Sequence, residues 1–138
     1  MPFLLGVFLL VSVARAEGIA LIVNAENPVV TLSRSQVTDF FLKKNKRWAD
    51  GVPVRFFDRA DGTDERKQFL RDFVQKSSRD IELYWIGQKL YSGHSAPSQI
   101  ASDSMVEIMV SRFPGALGYV SESYELTKPV KKIPATGL

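Results

Sequence analysis

The segment Phe56-Phe57-Asp58-Arg59-Ala60-Asp61-Gly62-Thr63-Asp64-Glu65-Arg66 reads as a strand, a turn and the start of a helix. Val52 to Asp58 is strand-like, with Pro53 near its start where a missing N–H matters least. Arg59 to Gly62 is a loop, Thr63 is a residue type that caps helices, and Phe69, Leu70, Phe73 and Val74 give the following helix an apolar face. In an α/β sheet, ligands collect beyond the carboxyl ends of the strands, where this loop lies. Exposed peptide N–H groups at a helix start attract oxyanions, a guanidinium adds a bidentate donor, and Gly lets backbone approach closely. Arg59, Gly62 and Thr63 are therefore candidate oxyanion ligands. The same residues also suit a structural role. Thr63 caps, Asp64 and Glu65 complement the helix dipole, and Arg59 or Arg66 pairs with them. The two carboxylates, with Arg66 beside them, would modulate any anion bound there.

The elements on either side extend the α/β pattern. Ile19 to Val23 is a continuous apolar run, as in a strand buried on both faces. Ser33 and Gln36 have capping-box spacing, Leu32 and Val37 form a hydrophobic staple, and Val37, Phe40 and Phe41 make an apolar stripe. Lys43, Lys44 and Lys46 follow, where a helix dipole favours cations. Ser77 or Ser78 opens a helix reaching about Tyr91, apolar enough (Ile81, Leu83, Tyr84, Trp85, Ile86, Leu90) to be buried over much of its girth. Gly93 to Gln99 is a loop. Ser102 or Asp103 opens a helix carrying Val106, Met109, Val110 and Phe113, stopped by Pro114-Gly115. Ala116 to Val120 and Val130 to Ile133 are further strands. Alternating strands and helices predict a mainly parallel central sheet flanked by helices.

The chain has 138 residues, room for one domain, and its 45% hydrophobic content supplies a core. A net charge of +3 is too modest for a dedicated nucleic-acid binder, and the absence of Cys excludes disulfides and thiolate chemistry. Phe3 to Val13 is apolar and Ala14-Arg15-Ala16 is a small-x-small site, so residues 1–16 read as an export signal cleaved after Ala16. The run is shorter than the roughly 20 residues that span a bilayer, so a soluble periplasmic or secreted product without a stable membrane anchor is expected. One domain is expected over 17–133, with a loose tail over 134–138.

Four stretches carry a resemblance to the periplasmic phosphate-binding proteins of ABC importers, the PstS-like group. They are Leu32-Ser33 with Val37 to Lys43 and Trp48-Ala49-Asp50-Gly51; Arg59-Ala60-Asp61-Gly62-Thr63; Trp85 with Tyr91-Ser92-Gly93; and Pro114-Gly115-Ala116-Leu117-Gly118-Tyr119-Val120. The resemblance implies a single lobe of a type II periplasmic-binding-protein-like fold. Arg59 would match the family's phosphate-clamping Arg, Gly62 its Gly and Thr63 its phosphate-bonding Ser. Asp64 and Glu65 stand where the family has Gly and Thr. Full-length members hold phosphate between two lobes, and this chain has length for one. The implied partners are inorganic phosphate or a similar oxyanion, and an ABC permease or a second lobe from another chain. The implied function is weak oxyanion binding without catalysis or cofactor. The alternative is a periplasmic interaction module that keeps the fold and has lost the anion.

Other chemistry has little support. His94 is the sole His, Gly62 lacks EF-hand spacing, and no Gly-x-Ser-x-Gly elbow occurs. If the leader reading is right, mass spectrometry of the exported product gives a chain beginning at Glu17; an intact Met1 terminus contradicts it.

Overall fold

The structure, a computed structural model, describes Gly6 and residues 18–138. The expected leader thus lies, but for Gly6, outside the described residues. A five-stranded sheet has the order β4-β3-β5-β1-β6, formed by β1 (Ile19–Asn24), β3 (Arg55–Arg59), β4 (Ser98–Ile100), β5 (Ala116–Ser121) and β6 (Val130–Ile133). β3 runs parallel to both β4 and β5, while β1 runs antiparallel to β5 and β6. Four strands therefore share a direction and β1 opposes them, which its continuous apolar sequence did not reveal. Burial on both faces demands the same residues whichever way a strand runs.

Side-chain alternation along these strands creates two cores. Leu21, Val23, Phe56, Leu117 and Tyr119 face one side and meet Phe41 of α1 (Arg34–Phe41) and Phe69 of α2 (Asp64–Phe69). Ile22, Phe57, Ala116 and Val120 face the other side and meet Val106 and Val110 of α4 (Asp103–Arg112). The Tyr119 and Phe69 rings stack at 4.5 Å.

The capping box forms as the sequence predicts. Ser33 Oγ accepts from Gln36 N–H, and the Gln36 side chain accepts from Ser33 N–H. The helix after Thr63 continues past α2 as a π-helical turn, Leu70–Val74, closed by Gln75 at φ 57°. The wider turn keeps Phe69, Leu70, Phe73 and Val74 all buried, and Thr38 of α1 donates its hydroxyl to the Phe73 carbonyl at 2.9 Å.

Several expectations are corrected. α1 ends at Phe41, so the lysines lie beyond it. Lys43 Nζ donates to the Ser95 carbonyl and Lys46 Nζ to His94 Nε2, tying the 93–96 loop down rather than complementing a dipole. Ser98–Ile100, read as mostly loop, forms edge strand β4. The tail is not loose: β7 (Ala135–Thr136) pairs in parallel with β2 (Leu32–Ser33), and Leu32 N–H donates to the Pro134 carbonyl. α3 (Ser78–Ser92) buries only Ile81 and Trp85 fully, because it lies at the margin of the molecule with its outer side to solvent.

Close backbone approach explains the glycine at 115. The Gly115 carbonyl accepts from Arg55 N–H and from the Trp48 indole, and a Cβ at Gly115 would lie 2.0 Å from the Pro53 carbonyl oxygen. Gly115→Ala is expected to cost about 2–3 kcal/mol in urea denaturation; a variant as stable as the parent contradicts this packing.

Candidate functional site

β3 ends at Arg59, and the loop turns at Gly62, where φ is +84°. A Cβ there would meet nothing within 4 Å, so the need for Gly is conformational rather than steric. Thr63 then caps α2: its Oγ1 accepts from Arg66 N–H at 3.3 Å and donates to the Ala60 carbonyl at 2.8 Å. Gly62 N–H donates to Asp61 Oδ1.

Arg59 is 4% exposed. Its Nη1 donates to Asp103 Oδ1 at 2.5 Å, its Nε to the Ile100 carbonyl at 3.3 Å, and its Nη2 to the Ala101 carbonyl at 3.4 Å. Glu65 lies 4.0 Å from Nη2. Asp103 also accepts from Ser121 N–H, and Glu65 from Ser121 Oγ. The end of β4, the residue after it, the start of α4 and the start of α2 thus close round the guanidinium with protein oxygens, and Ser121 at the end of β5 holds both carboxylates. Asp64 is exposed and, with Glu65, borders a hollow of about 410 Å³ that also meets Lys67, Gln68 and Arg71. Arg59 is not in its wall.

A second guanidinium belongs to Arg66 of α2. Arg66 donates through Nε to Asp58 Oδ2 at 3.1 Å, and through Nη1 to Asp61 Oδ1 and Ser78 Oγ, both at 3.0 Å. Asp58 is buried beneath it, accepting from the Tyr119 hydroxyl at 2.5 Å and from Arg59 N–H at 2.8 Å. Burial pushes the Asp58 carboxyl above its ordinary pKa, opposed by Tyr119 and Arg66. Burial also pushes the Tyr119 hydroxyl well above its ordinary value, and the Asp58 charge beside it acts in the same direction. Of the residues the sequence marks, the structure places Glu65 beside the Arg59 guanidinium and Thr63 Oγ1 on Arg66 N–H, whereas Arg59 turns to Asp103, Ile100 and Ala101 rather than to Gly62 or Thr63. Sequence reasoning missed Asp103 and Tyr119. Asp103 is 44 residues from Arg59, and its local signal was a helix start; Tyr119 read as one more apolar strand residue.

The two guanidiniums face four carboxylates: Asp103 and Glu65 at Arg59, Asp58 and Asp61 at Arg66. Away from this cluster, Glu107 of α4 ties down the loop after β5, accepting from Thr127 N–H and hydroxyl and from the Tyr124 hydroxyl. Burial alone would raise its carboxyl, but these bonds outweigh burial and hold it below the ordinary range.

Solved structures share this fold. A protein assigned as a phosphate ABC transporter substrate-binding protein, with bound phosphate, from Clostridium perfringens matches at TM-score 0.66 and 23% identity, over 88% of this chain and 46% of that one. An ABC-type phosphate transport receptor from Vibrio cholerae matches at 0.67 and 21%, over 86% and 46%. PstS from Borrelia burgdorferi matches at 0.69 and 10%, over 88% and 48%. The chain spans about half the length of these structures. No protein-family profile and no curated protein matches it. Among the described residues, no helix is long and apolar enough to cross a membrane.

Tyr119→Phe leaves the buried Asp58 short of a donor and is expected to cost about 1–3 kcal/mol at neutral pH. The raised Tyr119 means the unfolded chain releases this proton first, so the parent loses stability as pH climbs above about 10. Urea denaturation across pH should show the variant lacking that part of the alkaline loss; an unchanged alkaline slope contradicts the assignment.

Proposed function

We propose that this chain is a non-catalytic interaction module built on the fold of solute-binding proteins, exported from the cytoplasm, with its oxyanion loop closed by its own side chains. The fold itself is common to the phosphate-transport structures. The observation that carries the proposal is the Asp103 carboxylate on Arg59 Nη1, backed by Glu65. That carboxylate takes the donor an incoming oxyanion would need. Thr63 donates its hydroxyl proton to the Ala60 carbonyl and accepts from Arg66 N–H, as a helix cap does, so its O–H is not offered to an anion. Four carboxylates against two guanidiniums leave the surroundings net negative, and like charges at these separations repel by about a few kcal/mol near a surface. On this reading, exposed Asp64 and its neighbours present a polar surface to a protein partner. In a transport setting that partner would be an ABC permease or a second lobe carried by another chain.

A second reading keeps weak binding of phosphate or a related oxyanion at Arg59, Gly62 and Thr63. It is favoured by the position of Arg59 at the carboxyl end of β3, next to the start of α2. It requires the anion to displace Asp103.

Calorimetry separates the two. The parent chain is expected to give no saturable heat with millimolar phosphate or sulfate. The double variant Glu65→Thr/Asp103→Ser, which frees the guanidinium, is expected to gain saturable binding. Binding by the parent that Arg59→Ala abolishes would overturn the proposal in favour of the second reading.

A further inference from the structure

α3 carries apolar side chains on two opposite sides. Ile81 and Trp85 face the core. Leu83, Ile86 and Leu90 lie at i, i+3 and i+7, 54%, 51% and 77% exposed; Ile86 and Leu90, with Glu82 and Lys89, also border an open cavity of about 660 Å³ that reaches Asp58, Asp61 and Arg66. At the helical period Leu83 and Leu90 fall within about 20° of each other, roughly opposite Ile81. A surface helix ordinarily buries one stripe. A second, uncovered stripe marks a docking surface.

The charges beside the stripe indicate what docks. Glu82 and Lys89 are exposed, seven residues apart, and so share one flank of the stripe about two turns from each other. In an antiparallel helix pair related by a two-fold axis, residues on the same flank face one another across the seam. Glu82 of one copy then meets Lys89 of the other, and the reverse contact follows by symmetry. In that register Leu83 and Ile86 pack against the second copy's Ile86 and Leu83, and Leu90 lies over the aliphatic stem of the second copy's Arg79. A parallel pair brings no such complement. Among the described residues neither Glu82 nor Lys89 has an ion-pair partner within the chain; Lys89 Nζ donates to Ser95 Oγ. Gly87 lies on the opposite flank, and a Cβ there would meet nothing within 4 Å, so a neighbouring helix can approach closely.

We propose that α3 is a self-association surface, on which a second copy of this chain docks antiparallel through Leu83, Ile86 and Leu90 with reciprocal Glu82–Lys89 ion pairs. One helix per copy is a small interface, so the dimer is weak and concentration-dependent. The proposal does not depend on what the Arg59 loop binds.

Sedimentation equilibrium from low micromolar to near-millimolar chain tests it, with circular dichroism to confirm folding. The parent is expected to dimerise as concentration rises. Glu82→Lys or Lys89→Glu, each counted twice by the two-fold, should weaken association by about tenfold. The double variant Glu82→Lys/Lys89→Glu should recover it. A parent that stays monomeric, a dimer indifferent to the single reversals, or a double variant that fails to recover would each overturn the proposal.

Discussion

The Asp58 carboxylate holds together the part of the molecule where function would reside. It lies at the carboxyl end of β3, buried, and takes the Tyr119 hydroxyl from β5, the Arg59 N–H from its own strand and the Arg66 guanidinium from α2. A buried charge is tolerable only when its lone pairs are met and a counter-charge is near. Asp58 has both, and in meeting those needs it fixes the angle at which α2 leaves the sheet. Among the described residues no buried side-chain polar atom lacks a partner. The loop between β3 and α2 thus leaves this strand end with its buried polar groups already paired inside the chain.

That internal pairing gives the neighbouring Arg59 its significance. A guanidinium at a strand end, beside a helix start, is the arrangement expected of an anion clamp. Here its donors end on Asp103, Ile100 and Ala101. Retaining an internal carboxylate on a buried guanidinium avoids the large penalty of an unpaired buried charge when no ligand is present. The fold and the loop's own chemistry thus point in different directions.

The elements legible from sequence were those specified by local contacts. Ser33 and Gln36 cap across one turn, Val37, Phe40 and Phe41 share a stripe, and Thr63 caps three residues ahead. Each signal is complete within a few positions. What stayed hidden depended on distant segments. Asp103 reads locally as a helix start, and only the sheet order, with β4 beside β3, carries it to Arg59. The reversed direction of β1, the pairing of Ala135–Thr136 with Leu32–Ser33 and the task of Lys43 and Lys46 in tying down the 93–96 loop are likewise tertiary outcomes. The exposed side of α3 was concealed because an apolar residue looks the same whether it faces a core or awaits a partner.

The central claim is that the chain's own carboxylates already occupy Arg59. Two-dimensional NMR of the arginine Nε–H signals during a phosphate titration addresses it at the atom concerned. The account predicts that the Arg59 Nε–H and the amides of Gly62 and Thr63 stay in place throughout. A saturable shift of all three together would contradict it.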